Sequence, residues 1–139
     1  RTAELAGRRV DQLSGGQRQR VWIATVLAQR TATLLLDEPI SFLDIARAVE
    51  VLDLVVDLNR QRGTTVVMVL HDLNLAARYS DRLIAMRDGA IVAAGAPPEV
   101  VTEEMVSDVF GVPSRVIPDP VSGTPLVVPI GRHHSGVDD

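Results

Sequence analysis

Apolar positions in the first half of the chain predict a helix followed by a strand. From Ser14 to about Gln29 apolar residues dominate, which predicts a helix that is buried over much of its surface, with Arg18 and Arg20 on a wetter side. The run TLLLD, residues 33–37, is continuously apolar and is ended by charges. It favours a strand buried on both faces, as in a parallel sheet, although periodicity alone does not exclude a turn of buried helix.

A second helix and a second strand follow. Apolar residues spaced by three and four predict a helix that starts after Asp44 as N-cap and ends at Gly63. The segment TTVVMVL, residues 64–70, is rich in β-branched residues and predicts a strand, after which Asp72 can cap a short helix to about Tyr79. Helices alternating with strands predict right-handed crossovers and a parallel sheet with helices on its faces.

The pattern changes after residue 80. RLIAM and IVAAG flank the pair Asp88–Gly89 and predict a hairpin. PPEVVTEEMVSDVFG predicts two short helical pieces with acidic first turns, and RVIPDPVSGTPLVVPI predicts a proline-interrupted hairpin at a sheet edge. The last nine residues, 131–139, predict a disordered tail.

Composition narrows the class of protein. The chain has 139 residues, of which 46% are hydrophobic and 23% charged, as expected for one globular domain. The net charge of -4 shows no excess of basic residues, which disfavours nucleic acid as the main ligand. Cysteine is absent, which excludes disulfides and zinc–cysteine sites and fits a reducing compartment. No apolar run is long enough for a membrane span and no signal peptide opens the chain, so we expect a soluble or peripheral protein.

The segment LSGGQ, residues 13–17, places two adjacent glycines where the first helix begins. In a helix interior each glycine costs about 1 kcal/mol relative to alanine. Ser14 and Gln17 form a capping-box pattern, so Gly15 and Gly16 fall in the first turn, where bare N–H groups and the helix dipole favour an anion. Two interpretations remain open, a cradle for an anion and close packing against another helix.

Two carboxylates, Asp37 and Glu38, follow the first predicted strand, and His71 follows the second. Ligands of parallel α/β sheets lie beyond the carboxyl ends of the strands. An aspartate there suits Mg²⁺, bound directly or through water, and a glutamate can act as a general base worth roughly 10²–10⁴-fold in rate. The alternative is that the acids are solvated residues at a strand end and that the histidine is structural.

Four motifs in a fixed order carry a resemblance to a known family. LSGGQ, LLLDEP, SFLD and HD begin at Leu13, Leu34, Ser41 and His71. In this order they resemble the signature, the Walker B strand with its glutamate, the D-loop and the switch histidine of ATP-binding cassette (ABC) ATPases. The resemblance covers residues 8–95. It implies an α/β fold, part of a RecA-like P-loop NTPase domain, with a parallel sheet, flanking helices and a C-terminal antiparallel hairpin region.

The resemblance also implies roles for individual residues, with ATP and Mg²⁺ as cofactors. Asp37 would help to hold Mg²⁺ through water, and Glu38 would polarise the attacking water. His71 would contact the γ-phosphate, and Asp44 would communicate across a dimer interface. Four signature residues would close on ATP held by the opposite subunit of a head-to-tail dimer: Ser14, Gly15, Gly16 and Gln17.

The chain departs from the family in two ways. All 14 basic residues are arginine, so the chain cannot contain the lysine of a P-loop, and we expect the P-loop half to be missing. We therefore interpret the chain as a fragment that binds ATP weakly or not at all, has no turnover alone and exposes sheet edges that promote aggregation. Micromolar affinity of the chain for ATP in isothermal titration would refute this interpretation.

The second departure is Ile40, which replaces a small polar residue of the family pattern. Ile40→Thr in the full-length pair is expected to leave ATP hydrolysis unchanged.

We expect four segments: 1–30, the end of a helical subdomain with the signature; 31–95, half of the RecA-like core; 96–130, helical pieces and a hairpin; and 131–139, the tail.

Whole-segment resemblance is strongest to ATPase subunits of bacterial importers for ferric siderophores, then to those for haem or cobalamin. It implies transmembrane permease subunits as partners, indirectly a periplasmic or lipoprotein solute-binding protein, no nucleic acid, and a peripheral location at the cytoplasmic face of the inner membrane. The alternatives are a non-transport ABC ATPase and a non-enzymatic fragment that dimerises.

Overall fold

The computed structural model describes residues 4, 7–29 and 31–133. The chain divides into two compact units, Arg1–Val69 and Leu70–Asp139. The predicted tail lies outside the described residues from position 134 onward.

The first unit alternates helices with strands, as the apolar pattern predicts. After a 3₁₀ turn at Val10–Gln12 come α1 (Gly15–Gln29), β1 (Thr33–Asp37), α2 (Ile45–Arg62) and β2 (Thr65–Val69). The two strands pair in parallel, with the last residues of both strands opposite each other. The predicted order of elements and the parallel pairing are therefore confirmed.

Local chemistry fixes both ends of α2. The Asp44 side chain accepts a hydrogen bond from the Arg47 N–H, and Gly63 ends the helix at φ 65°, a left-handed conformation that glycine adopts without steric cost. Beyond this end the Asn59 side-chain amide donates to the Thr64 carbonyl at 3.0 Å. The predicted N-cap and terminating glycine of this helix are confirmed.

The core of the first unit lies on one face of the β1–β2 sheet. Leu34 and Leu36 of β1 pack with Val55 and Leu58 of α2, and all four are buried. Side chains alternate across a strand, so the intervening residues face the other way. Leu35 is accordingly 74% exposed. The prediction that β1 is buried on both faces is wrong for this structure, because the described cluster covers only the side on which α2 packs.

The described side chains of α1 are half-buried or exposed. Val21 and Ala24 are half-buried, whereas Ala28 and Trp22 are exposed, and Arg18 is exposed as expected. Neither hydrophobic cluster of the described residues includes a side chain of α1, and the predicted burial of this helix depends largely on side chains outside the described ones. The remaining predicted apolar positions and one predicted polar position lie outside the described side chains: Ile23, Val26, Leu27 and Arg20.

The second unit is built from two hairpins and three short helices. Its elements are α3 (Leu73–Tyr79), β3 (Leu83–Arg87), β4 (Ala90–Gly95), α4 (Pro97–Val100), α5 (Glu103–Phe110), β5 (Ser114–Pro118) and β6 (Pro125–Pro129). Both strand pairs are antiparallel, and Asp88 and Gly89 form the first turn with positive φ angles. The predicted hairpins and helical pieces are confirmed. Among the residues described in this unit, six form a buried core cluster: Ala77, Val100, Val101, Met105, Val106 and Val127.

Candidate functional site

The turn that opens α1 is held by a reciprocal capping box. The Gln17 backbone N–H donates to Ser14 Oγ at 3.3 Å, and the Ser14 backbone N–H donates to Gln17 Oε1 at 3.0 Å. Leu13, immediately before, is 4% exposed and anchors the turn, while Ser14 and Gly15 are exposed. The predicted capping box is confirmed, and it presents the first amides of the helix at an exposed surface.

Gly15 is not required by packing within the described part of the chain. A Cβ built at this residue meets no atom within 4 Å, and its φ is not in the left-handed region. The glycine therefore serves neither a strained turn nor a close approach to another described helix. The space beside Gly15 is compatible with an external group approaching the helix terminus, where the dipole favours an anion.

The end of β1 and the connection to α2 carry three of the predicted site residues, namely Asp37, Glu38 and Asp44. Asp37 is the exposed last residue of β1 and lies opposite Val69 across the sheet. Glu38 follows at φ 48°. Its carboxylate Oε2 accepts a hydrogen bond from Ser41 Oγ at 2.9 Å, and its carbonyl accepts one from the Ser41 N–H at 3.2 Å. Ser41 therefore holds both the side chain and the backbone of this glutamate.

Two non-glycine residues of this connection have left-handed backbones. They are Glu38 at φ 48° and Phe42 at φ 65°. Such conformations cost on the order of 1–3 kcal/mol each and concentrate at functional sites, where surrounding contacts maintain them. Phe42 is also fully exposed. Neither strained residue was predictable from the sequence, because no local residue pattern requires a positive φ at a glutamate or a phenylalanine.

His71 belongs to the second unit. It is exposed and precedes Asp72, whose side chain accepts a hydrogen bond from the Leu75 N–H at 2.9 Å and so caps α3. The predicted cap of this helix is confirmed.

The donor set fits a magnesium ion that is held mainly by water and phosphate. Within the described ranges, no three or more Asp, Glu or His side chains are grouped so that they could hold a metal ion. Asp37 offers one exposed carboxylate at a strand end. Because Mg²⁺ keeps several waters and uses one or two carboxylates together with substrate phosphates, a single aspartate is compatible with such an ion.

The second unit contains an ion pair that the sequence did not predict. Arg78 of α3 donates to Asp119, which lies between β5 and β6 and is 4% exposed. The hydrogen bond from Arg78, together with those from the Val121 and Ser122 N–H groups, lowers the pKa of Asp119 from 3.8 to about 2. The same bond raises the pKa of Arg78. An aspartate before Pro-Val-Ser-Gly is a turn signal, but nothing local indicates a partner 41 residues away.

Comparison with known proteins identifies the class. The family described as ABC transporter matches residues 1–41. The ferric enterobactin transport ATP-binding protein FepC of Escherichia coli (strain K12) is 58% identical over 128 residues, which cover 92% of this chain and 47% of FepC. The chain thus spans about half the length of the curated relatives that it matches.

Solved structures agree with this assignment. An inward-facing transporter assigned to the metal-chelate ABC type superposes with a TM-score of 0.81 at 30% identity, covering 94% of this chain and 53% of the other. The ATP-binding cassette MJ0796, in a dimeric post-hydrolysis state with ADP and phosphate, gives 0.60 at 38% identity, covering 68% and 40%. The fold is therefore that of part of an ABC ATPase domain.

The chain belongs to the ABC transporter family of ATP-binding proteins, and the predicted resemblance is confirmed. Across the residues that the structure describes, no helix combines the length and apolar character needed to cross a bilayer.

Proposed function

We propose that the protein containing this chain is the ATP-hydrolysing subunit of a bacterial importer for ferric siderophores. The 58% identity to a ferric enterobactin transport protein, over 92% of the chain, carries the proposal. The likeness to a transporter of the metal-chelate type supports it, since a ferric siderophore is a metal chelate. Haem and cobalamin are the next solute classes by resemblance.

The signature turn is proposed to bind the γ-phosphate of ATP that a second subunit holds. The capping box fixes the turn, and no described atom occupies the space where a Cβ of residue 15 would lie. Ser14, Gly15, Gly16 and Gln17 would stabilise the charge that develops on the transferred phosphoryl group. The dimeric state of MJ0796 with bound ADP and phosphate supports a two-subunit site. This chain has no lysine, so the P-loop lysine must come from outside these 139 residues.

Glu38 is proposed to orient the attacking water and to accept its proton at the carboxylate. The hydrogen bond from Ser41 Oγ and the left-handed backbone both restrict this side chain, as a positioned base requires. Asp37 would help to hold Mg²⁺, an ion that neutralises phosphate charge when bound. His71 would contact the γ-phosphate, and Asp44 would communicate with the second subunit.

The proposed partners are a second ATP-binding subunit, the transmembrane permease subunits and, indirectly, a periplasmic or lipoprotein solute-binding protein. The proposed location is peripheral, at the cytoplasmic face of the inner membrane. Nucleic acid is not a proposed partner, since the net charge is -4.

The experiment compares Glu38→Gln with Glu50→Gln in the full-length protein, assembled with its permease. Glu50 is an exposed glutamate of α2 whose ion pair with Arg47, at 2.8 Å, is of a kind worth about 1 kcal/mol or less. We expect Glu38→Gln to lower kcat for ATP hydrolysis about 10²-fold or more and to abolish uptake of radiolabelled ferric enterobactin. Glu50→Gln is expected to behave as wild type.

Two results would contradict the proposal. Equal turnover of the two variants would remove Glu38 from the chemistry. Normal uptake of ferric siderophores, haem and cobalamin in a strain that lacks the protein would remove the importer assignment.

A further inference from the structure

The hairpin β5–β6 with its connecting turn, here named the C-terminal hairpin, is bound to α3 by two side chains of that helix. The first is Asn74, whose Nδ2 donates to the Val127 carbonyl at 3.1 Å and whose Oδ1 accepts from the Val127 N–H at 2.7 Å. One side-chain amide thus satisfies both backbone groups of a β6 residue. Val127 itself is buried in the core of the unit.

The second side chain is Arg78, which donates to Asp119 in the turn of the C-terminal hairpin. Asp119 is itself held in place. Its Oδ1 accepts from the Val121 and Ser122 N–H groups at 2.8 and 3.2 Å, and its own N–H donates to the Thr124 carbonyl at 2.8 Å. Arg78 is therefore bound to a turn whose geometry is determined by hydrogen bonds within the turn.

These contacts add to the packing of Leu73 and Ala77 of α3 against the core of the unit. The helix has seven residues, too few for stability in isolation, and its buried residues are two alanines, Ala76 and Ala77, which offer little apolar area. Asn74 and Arg78 are four residues apart and so lie one turn apart on one side of the helix. Two contacts at this spacing restrain both rotation of the helix about its axis and sliding along it.

His71 lies immediately before Asp72, the N-cap of α3. The Asp72 cap, with its 2.9 Å bond to the Leu75 N–H, joins the histidine directly to the first turn of the helix. Because only Asp72 separates His71 from α3, a shift or rotation of α3 acts on the His71 backbone through this cap.

We propose that the C-terminal hairpin positions His71 for its contact with the γ-phosphate, with Asn74 and Arg78 as the positioning residues. The proposal rests on the function proposed above for His71. It assigns the last strands of the chain a role in turnover as well as in stability.

The test is a double-mutant cycle in the full-length protein with its permease, which separates positioning from stability. Asn74→Ala is expected to lower kcat for ATP hydrolysis about 10-fold, with KM for ATP changed less than about 2-fold, because a displacement of about 1 Å at a reacting group can cost up to 10²-fold. In a His71→Ala background the same substitution is expected to change kcat less than about 2-fold, since the group that it positions is already absent.

Matched variants exclude a simple loss of folded protein. Asn59→Ala removes a comparable bond from a side-chain amide to a backbone carbonyl, at 3.0 Å, in the other unit, and kcat is expected to stay at the wild-type value. Asn74→Asp keeps an acceptor for the Val127 N–H and loses the donor, so it provides a milder variant with an expected intermediate kcat. Arg78→Lys keeps the charge and is expected to retain more turnover than Arg78→Ala.

The outcomes are distinguishable. If His71→Ala lowers kcat but Asn74→Ala lowers it by the same factor in both backgrounds, the hairpin is merely structural and the positioning proposal is overturned. Unchanged kcat in both Asn74→Ala and Arg78→Ala would overturn it as well. Wild-type turnover in His71→Ala would contradict the role proposed for His71 and, with it, this inference.

Discussion

Asp44 has a structural role that can be measured separately from its proposed role in communication between subunits. Its Oδ1 accepts a hydrogen bond from the Arg47 N–H at 2.9 Å, at the N-cap of an 18-residue helix. Asp44→Ala removes this acceptor and leaves an N–H of the first turn unpaired. Such a loss costs about 1 kcal/mol of the free energy of unfolding, within a range of roughly 0.5–2 kcal/mol.

Asp44→Ser separates the cap from the charge. Serine is nearly as good an N-cap as aspartate, so only the interaction of the carboxylate with the helix dipole is lost, about 0.3–1 kcal/mol at an exposed site. The free energy of unfolding is therefore expected to fall in the order wild type, Asp44→Ser, Asp44→Ala. Asp57→Ala serves as the control, because Asp57 is an exposed acid in the interior of the same helix.

The assay is urea unfolding of the full-length protein, followed by far-UV circular dichroism. For a domain of 150–250 residues, 1 kcal/mol also lowers the melting temperature by about 2–4 °C. If Asp44→Ala is as stable as Asp57→Ala, the capping argument is wrong. If Asp44→Ser has nearly wild-type stability but lowers ATP hydrolysis, the charge has the additional role proposed for it.

Three further predictions concern glycines and one acid. Gly63→Ala is expected to cost about 1–2 kcal/mol, because alanine must adopt φ 65° although no described atom lies within 4 Å of its Cβ; an unchanged urea midpoint would count against this. Gly15→Leu is expected to change stability by less than about 0.5 kcal/mol and yet to lower ATP hydrolysis strongly; unaffected hydrolysis would remove the access argument. The pKa of Asp119 is lowered from 3.8 to about 2, so the stabilising contribution of its carboxylate is complete above about pH 4 and is lost as the pH falls to about 2. The difference in urea midpoint between wild type and Asp119→Asn should therefore shrink over this interval. A difference that stays constant would contradict this prediction.

The elements that the sequence predicts best are those whose ends are determined by neighbouring residues. Asp44, Asp72 and Gly63 each act within four residues of their own position, so their types alone indicate where α2 and α3 begin or end. The same holds for Ser14 and Gln17, whose two hydrogen bonds span three residues. The candidate site was predictable to this extent because its motifs are short and local.

What the sequence did not predict depends on contacts between distant segments. The apolar composition of β1 predicts burial on both faces only if a second layer of structure packs over Leu35. No periodicity in the sequence indicates whether such a layer is present. The bond between Asn74 and Val127 joins residues 53 positions apart, and the bond between Arg78 and Asp119 joins residues 41 apart. Each of these side chains could equally lie in solvent. Only the folded structure distinguishes a solvated side chain from one that bonds to a distant segment.

The central claim is that the turn at Ser14 and Gly15 contacts a nucleotide held by another subunit. The most direct measurement is a crystal structure of the full-length Glu38→Gln dimer with ATP and Mg²⁺. We expect Ser14 Oγ and the amides of the first turn of α1 within about 3 Å of γ-phosphate oxygens of ATP bound by the opposite subunit. A nucleotide-loaded dimer in which this turn faces away from the triphosphate would contradict the account.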